Sequence, residues 1–293
     1  MLRFAGNRRS DILSLADSAR LSTGPLGPLW VIMPKIQSNY LHVLVTRYNV
    51  GLYSPHTGLV DAEQWMAHRL PIFENYCLPS ILGQSCQDFI WLLCLDERTP
   101  HRLIDQIVSL LPEHITPLMI GPGRSYARIK DAILKLVPNT VRFIVTQQHD
   151  NDDFLATDYI ENVHRALWDS RDLPYLMDTE LIYIVKEENM KMHISNIADR
   201  IGVNYATPFC VVVEDRQSAM TCMHIGHAKL RQFIPRFFLI SGLCSGRVVH
   251  ELNLSPKDRD SGQVVTEDMI ETLSCKFGVN TDRIMGLWRS SQL

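Results

Sequence analysis

Residues Thr140–Phe154 read TVRFIVTQQHDNDDF. The first part, VRFIVT, is a short apolar and β-branched run, the pattern of a strand buried on both faces. The second part sets Asp150, Asp152 and Asp153 within four positions. Like charges that close repel unless solvent or a cation separates them. Two readings follow. The cluster is a solvated Asp/Asn turn leading into the next helix, or it offers hard oxygen ligands to Mg²⁺ or Mn²⁺.

The surrounding chain bears on that choice. HVLVT from His42 is a buried-strand pattern, and DAEQWMAHRLPIFENYCLPSILGQ keeps helical spacing at Phe73, Tyr76, Cys77 and Ile81 despite Pro71 and Pro79. DFIWLLCL then reads as a second strand closed by Asp96. PHRLIDQIVSLL is a helix with Pro100 at its start and a stripe of Leu103, Ile104, Ile107, Leu110 and Leu111. ITPLMIG predicts a third strand, and SYARIKDAILKLV a helix with Tyr126, Ile129, Ile133 and Leu136 on one face. VRFIVT is the fourth strand, and a helix is expected over Asp158 to Trp168. Four strand–helix alternations predict an α/β fold: a Rossmann-type, mostly parallel central sheet flanked by helices. Ligands gather at the carboxyl ends of such strands. The acidic cluster, Asp96 and the segment TRYN after the first strand all fall there.

Beyond residue 175 the rhythm changes. LIYIV, MKMHIS, CVVVE and AMTCMHI are short strand-like pieces, predicting a mixed-sheet C-terminal extension. TEDMIETLSCKFGV reads as a helix starting near Thr266 and Glu267 and ending at Gly278. Residues 1–38, with a Gly/Pro-rich break, read as an N-terminal extension outside the ordered fold. The main domain is expected over 39–293, divided into a first half, 39–170, and a second, 171–293.

The 293 residues are 46% hydrophobic and 21% charged, ordinary for a globular protein, and the net charge of −3 supplies no global basic field for nucleic acid. No run of about 18 apolar residues is present to span a bilayer. The N-terminus lacks the pattern of a signal peptide. The 7 cysteines are scattered without a CxxC pair, as reduced thiols would be. A cytoplasmic protein is expected, and a local patch would still permit peripheral contact with the inner membrane.

HRLPIFENYCLPSILGQSCQDFIWLLCLDERTP, followed some distance on by HDNDDF, resembles the putative rhamnosyltransferase family of bacterial glycosyltransferases. That family is similar to the GT-A group, whose aspartate motif holds a metal on a nucleotide sugar. The resemblance spans roughly residues 40 to 255 and is most specific from Arg69 to Pro100. It implies a GT-A-like fold in which 39–170 is the nucleotide-sugar half and 171–293 the acceptor half. Asp150, Asp152 and Asp153 fill the aspartate motif, with Mn²⁺ or Mg²⁺ as the cofactor. Asp96 falls where GT-A enzymes place an aspartate on the nucleotide base, and Thr46 and Arg47 where the first strand's end meets the nucleotide. Arg128 is a candidate for phosphate oxygens, with a solvated helix face as the alternative. In place of the family's Arg-Leu before the first aspartate stand Gln148 and His149.

MHIGH contains two further candidates. GT-A enzymes often take a late histidine as a metal ligand, a role open here to His227 and then His224. A hydrogen-bonded place in the sheet extension is the alternative for each. An inverting transfer needs a carboxylate to take the acceptor hydroxyl's proton. Glu214 and Asp215, ending CVVVED, are the candidates, or else simply a solvated strand end. The expected activity is metal-dependent sugar transfer, rhamnose by the family label, from a nucleotide-sugar donor to a glycan or lipid-linked acceptor. Two alternatives stay open: a metal-dependent nucleotidyl or phosphoryl transferase, and a catalytically degenerate binding subunit of the same fold.

Overall fold

The computed structural model describes residues 39–53, 62–167, 173–196, 206–250 and 262–291, together with the backbone of 18–22 and 28–32. Most of the expected N-terminal extension and the expected helix end at Trp168 lie outside the described residues. Strands β1 (Ser18–Ser22) and β2 (Pro28–Ile32) flank the Gly/Pro-rich break and pair antiparallel with each other, apart from the main sheet.

The main sheet has ten strands among the described residues. Four are parallel: β3 (Tyr40–Arg47), β4 (Ile90–Asp96), β5 (Leu118–Ile120) and β6 (Phe143–His149), in the order β5-β4-β3-β6. β6 is buried along its whole length, as its apolar half predicts. Its polar half stays inside because the next strand covers it. β10 (Val211–Asp215) lies antiparallel on β6, with Val211 opposite Gln147 and Asp215 opposite Phe143. β8 (Tyr175–Lys186) and β9 (Lys191–Asn196) continue the antiparallel half, and β12 (Gln263–Val264) closes that edge. The fold class expected from the sequence is therefore present: a largely parallel sheet with a mixed extension.

Helices cover both faces. α3 (His101–Val108) packs on one face with a helix that runs through Ala62–Leu82; α4 (Ser125–Leu136) covers the other. The Ala62–Leu82 helix is continuous despite its two prolines. It passes from α1 (Ala62–Ile72) through a π-helical turn (Phe73–Cys77) into α2 (Leu78–Leu82). At the start of the wider turn the Asn75 side chain donates to the Pro71 carbonyl at 2.7 Å. α5 (Tyr159–Ala166) packs with α1 on the same face, and a short α6 (Leu230–Phe233) lies on the α4 side. α7 (Glu267–Phe277) begins where Thr266 accepts from the Met269 amide and ends before Gly278, as the sequence predicts. α8 (Asp282–Ser291) follows and was not legible as a separate helix.

AMTCMHI is not a strand. Thr221 sits at φ 67°, and the Glu214 carboxylate accepts the Met220 and Thr221 amides at 2.9 and 2.7 Å, so the chain turns there instead of extending.

The feature that shapes the site is β11 (Phe237–Val249). It runs parallel to β8, with register breaks around Leu243, and curls until its far half also pairs antiparallel with a short strand, β7 (Asp153–Leu155). Ser245 then faces Leu155 and Arg247 faces Asp153. The close approach depends on Gly246. A Cβ there would stand 2.0 Å from the Phe154 ring, which is fully buried. Gly246→Ala is expected to destabilise the fold by about 1–3 kcal/mol, the usual cost of overpacking. Phe154→Leu in the same chain should recover part of that loss in urea denaturation. Equal stability of Gly246→Ala and wild type would contradict the packing described.

At the opposite, amino-terminal end of the parallel strands, His42 on β3 is buried and its Nδ1 lies 3.1 Å from His164 Nε2 on α5. Burial and then the His164 charge hold His42 well below the free-histidine value, so the folded state keeps it neutral. The proton therefore binds the unfolded chain preferentially. This contribution is complete above about pH 6.5 and is lost as pH falls below it toward the depressed folded value. Urea midpoints measured at pH 7.5 and 5.5 should drop, and His42→Gln should show a smaller drop than wild type.

Candidate active site

The end of β6 is held in a tight turn. The Asp153 amide donates to the Asp150 carbonyl at 3.2 Å, and the Asn151 side chain donates to the Tyr48 carbonyl at 2.7 Å, tying the turn to the end of β3. Asp150, Asp152 and Asp153 consequently point oxygens at one another, one from each lying within 4.8 Å of the others. Asp150 is half-buried and accepts from Gln148 Nε2 at 3.1 Å; Asp152 and Asp153 are buried.

So much charge in one place is compensated unevenly. Asp152 is ion-paired with Arg69 from α1 and accepts from His250 Nε2 at 3.0 Å. Burial alone would raise its carboxyl. Arg69 and the His250 hydrogen bond outweigh that and hold it well below the usual carboxylate range. His250 in turn lies with Nδ1 3.2 Å from His68 Nε2, one residue before Arg69. The Arg69 guanidinium also lies over the Trp65 ring, 5.3 Å from its centre. Asp153 has no such support. Burial, then the charges of Asp152 and Asp150, push its carboxyl well above the normal range, with Arg247 opposing only in part. Its Oδ1 is buried with no hydrogen-bond partner among the described residues. Three convergent carboxylates, one carrying an orphaned oxygen, fit a hard divalent cation, which would supply the missing positive charge.

His149, at the last position of β6, is buried beside the Asp153 backbone. Burial lowers it to about 4, so the ring is a neutral imidazole; it lies 6.1 Å from the Phe209 ring.

Strand register brings the other parallel-strand candidates to the same edge. Thr46 pairs with His149, Arg47 with Cys94, and Asp96 with Ile120. Thr46 is buried and accepts from Trp91 Nε1 at 3.0 Å. The Arg47 guanidinium lies 4.8 Å from the Tyr126 ring centre. Asp96 acts as a strut: it accepts from Arg98 Nε at 2.8 Å and from the Arg98 amide at 3.0 Å, while its own amide donates to Asn49. Burial would raise its carboxyl, but the Arg98 hydrogen bonds leave it lowered. Arg128 is exposed and packs its guanidinium against Gly121, next to Glu97, where any Cβ would clash with it at 2.1 Å.

Four sequence candidates are not at this edge cluster. Because β10 runs antiparallel, Glu214 pairs with Ile144 and Asp215 with Phe143, at the opposite end of β6. Six residues of strand separate Ile144 from Asp150, about 20 Å. Both carboxylates cap local turns, Glu214 as described and Asp215 on the Gln217 amide at 2.8 Å. Neither is placed to take a proton near the aspartates. His227 Nδ1 lies 2.9 Å from the Ala206 carbonyl, and the His224 ring packs edge-on against Phe233; neither joins the acidic group. The histidine that does reach it is His250, and with Arg69, His68 and Arg247 it is what sequence reasoning missed. Arg69 lay inside the most family-like block, which was its only signal. His250 carried none.

Among the described residues, no helix is long and apolar enough to cross a membrane. Residues 56–261 match the family model described as "Putative rhamnosyl transferase". None of the curated proteins matches the chain. Solved structures that match include a 4-diphosphocytidyl-2C-methyl-D-erythritol synthase from Anaerococcus prevotii, at 12% identity over 79% of this chain and 93% of that one, with a TM-score of 0.34. Another is S. aureus TarS in complex with UDP-GlcNAc, at 13% identity over 80% of this chain and 64% of that one, also with a TM-score of 0.34.

Removing Arg69 strands a buried carboxylate beside two others. Arg69→Met is expected to lower stability by about 3–5 kcal/mol, the range for breaking a buried ion pair from one side. A loss under about 1 kcal/mol by urea denaturation would mean that Arg69 does not hold the cluster.

Proposed function

The chain belongs to the putative rhamnosyl transferase family of glycosyltransferases, and on that premise we propose that it moves a sugar, in a metal-dependent reaction, from a nucleotide-sugar donor to a glycan or lipid-linked acceptor. The observation that carries this reading is the convergence of Asp150, Asp152 and Asp153 at the carboxyl end of the parallel strands. These three side chains would hold Mg²⁺ or Mn²⁺. When bound, such an ion supplies Lewis-acid stabilisation of charge on a leaving diphosphate.

The residues around them divide the remaining work. Arg69 and His250 hold Asp152 ionised and fixed in place, and His68 orients His250. His250 is thus the late histidine at the cluster, in a positioning role on Asp152 in place of the metal-ligand role expected of His227 or His224. The neutral His149 imidazole offers a hydrogen bond without adding charge. Arg47 and Arg128 supply cations along the same edge for phosphate oxygens. Asp96 and Thr46 shape the nucleoside end, Asp96 by locking the loop after β3 through Gly51 and Asn49. In this reading residues 39–170 bind the donor and 171–293 select the acceptor. Rhamnose as the sugar rests on the family's description. A lipid-linked acceptor would bring a cytoplasmic chain to the inner membrane as a peripheral protein.

The test is a thermal-shift panel of nucleoside diphosphates with and without Mn²⁺, because a ligand of the folded state raises its apparent stability. At least one nucleotide should raise the melting temperature only when Mn²⁺ is present. Asp150→Asn, which changes the most open of the three carboxylates, should abolish that shift while keeping the unliganded melting temperature. No metal-dependent shift with any nucleotide, or an undiminished shift in Asp150→Asn, would overturn the proposal. With a nucleotide-sugar donor and acceptor, release of sugar 1-phosphate instead of nucleoside diphosphate, or release of pyrophosphate from a nucleoside triphosphate and a sugar 1-phosphate, would assign the chain to nucleotidyl transfer.

A further inference from the structure

Away from the aspartates, the amino-terminal end of the parallel strands carries a second chain of reactive groups. His42 pairs with Val145, five residues before Asp150, so this group and the aspartates lie about 16 Å apart along β6. Cys86, in the loop between α2 and β4, lies with Sγ 3.5 Å from His164 Nδ1. His164 Nε2 lies 3.1 Å from His42 Nδ1, and the His42 Nε2 is buried with no partner among the described residues. The Asp88 carboxylate acts on His164 from the same loop, and the Tyr40 ring packs edge-on against it at 5.1 Å. Thiol, imidazole and second imidazole thus form the sequence of nucleophile, base and orienting group that activates cysteines. Cys86 is half-buried between exposed Ser85, Gln87 and Asp88.

We propose that Cys86 is a modification site, a thiol made reactive by His164 and His42 toward small-molecule disulfides. One set of tautomers links the three groups and leaves the His42 Nε2–H without a partner among the described residues. The Cys86 thiol donates to His164 Nδ1, and His164 Nε2–H donates to His42 Nδ1. In the reaction the thiol proton passes to His164 Nδ1 and the sulfur attacks one sulfur of the disulfide. The S–S bond breaks, the leaving thiolate takes the electron pair, and it is then protonated by His164. Cys86 is oxidised to a mixed disulfide and half of the reagent is reduced to a free thiol. The imidazolium formed on the way keeps its Nε2–H on His42 and faces the Asp88 carboxylate. Burial keeps His164 neutral beforehand, so it is free to accept the proton.

The protein contains its own control. Cys77, Cys94, Cys210, Cys222 and Cys244 are buried, while Cys275 is the exposed cysteine and has no histidine described beside it. Exposure alone would make Cys275 the faster thiol. The uncharged probe hydroxyethyl disulfide, applied to the native full chain at pH 7.5, separates the two cases by mass spectrometry of the two cysteine peptides over time. Cys86 should react about tenfold faster than Cys275, reflecting the imidazole base at hydrogen-bond distance from its sulfur. His164→Gln should bring Cys86 to or below the Cys275 rate and leave Cys275 unchanged, and in urea the two should react alike. A Cys86 no faster than Cys275 in the wild-type protein would overturn the proposal without any variant. So would an unchanged Cys86 rate in a folded His164→Gln.

Discussion

Three carboxylates at the end of a buried strand must be held against their own repulsion, and the rest of this structure is arranged around that requirement. Asp152 is kept ionised by Arg69 from α1 and by His250 from the end of β11. Asp153 has no equal partner, and burial beside two other acids leaves its carboxyl raised with an orphaned oxygen. An apolar interior tolerates such a group only when something neutralises it. A site so unbalanced is the expected form of one that accepts a cation, because removing all the repulsion in advance would also remove the affinity.

The two halves of the sheet meet at that point. The parallel half supplies the edge itself, since register places the ends of β3, β4, β5 and β6 side by side. The mixed half supplies β11, which leaves β8, curls, and takes up β7 with Asp153 on it. Gly246 permits the curl by leaving room for Phe154, whose ring anchors the turn from below. The C-terminal half is therefore structural to the aspartate cluster. The division expected at residue 170 cuts across a single continuous sheet.

Much of the fold was legible because it is written locally. β3, β4, β6, α3 and α4 each show their own burial pattern, and the acidic cluster follows directly from a strand. The Ala62–Leu82 helix was readable through two prolines because Phe73, Tyr76, Cys77 and Ile81 keep their spacing, although the π-helical turn was not. AMTCMHI misled because its apolar alternation resembles a strand, while the Glu214 carboxylate captures the Met220 and Thr221 amides and bends it. Glu214 and Asp215 were candidates as the end of a strand whose direction the sequence does not give; antiparallel pairing sends them to the far end.

The chain by itself determined the kind of sheet, the edge on which ligands gather, and the cluster of aspartates placed there, because hydrophobic period and strand-end composition are properties of neighbouring residues. Only the tertiary structure decided which cations face those aspartates. Arg69 and His250 are separated by most of the chain and meet through the packing of α1 against the curled end of β11. Strand direction was likewise decided in three dimensions, since a short apolar strand reads the same whether its neighbours run with it or against it. That choice placed His250 at the cluster and left His227, His224 and Glu214 elsewhere.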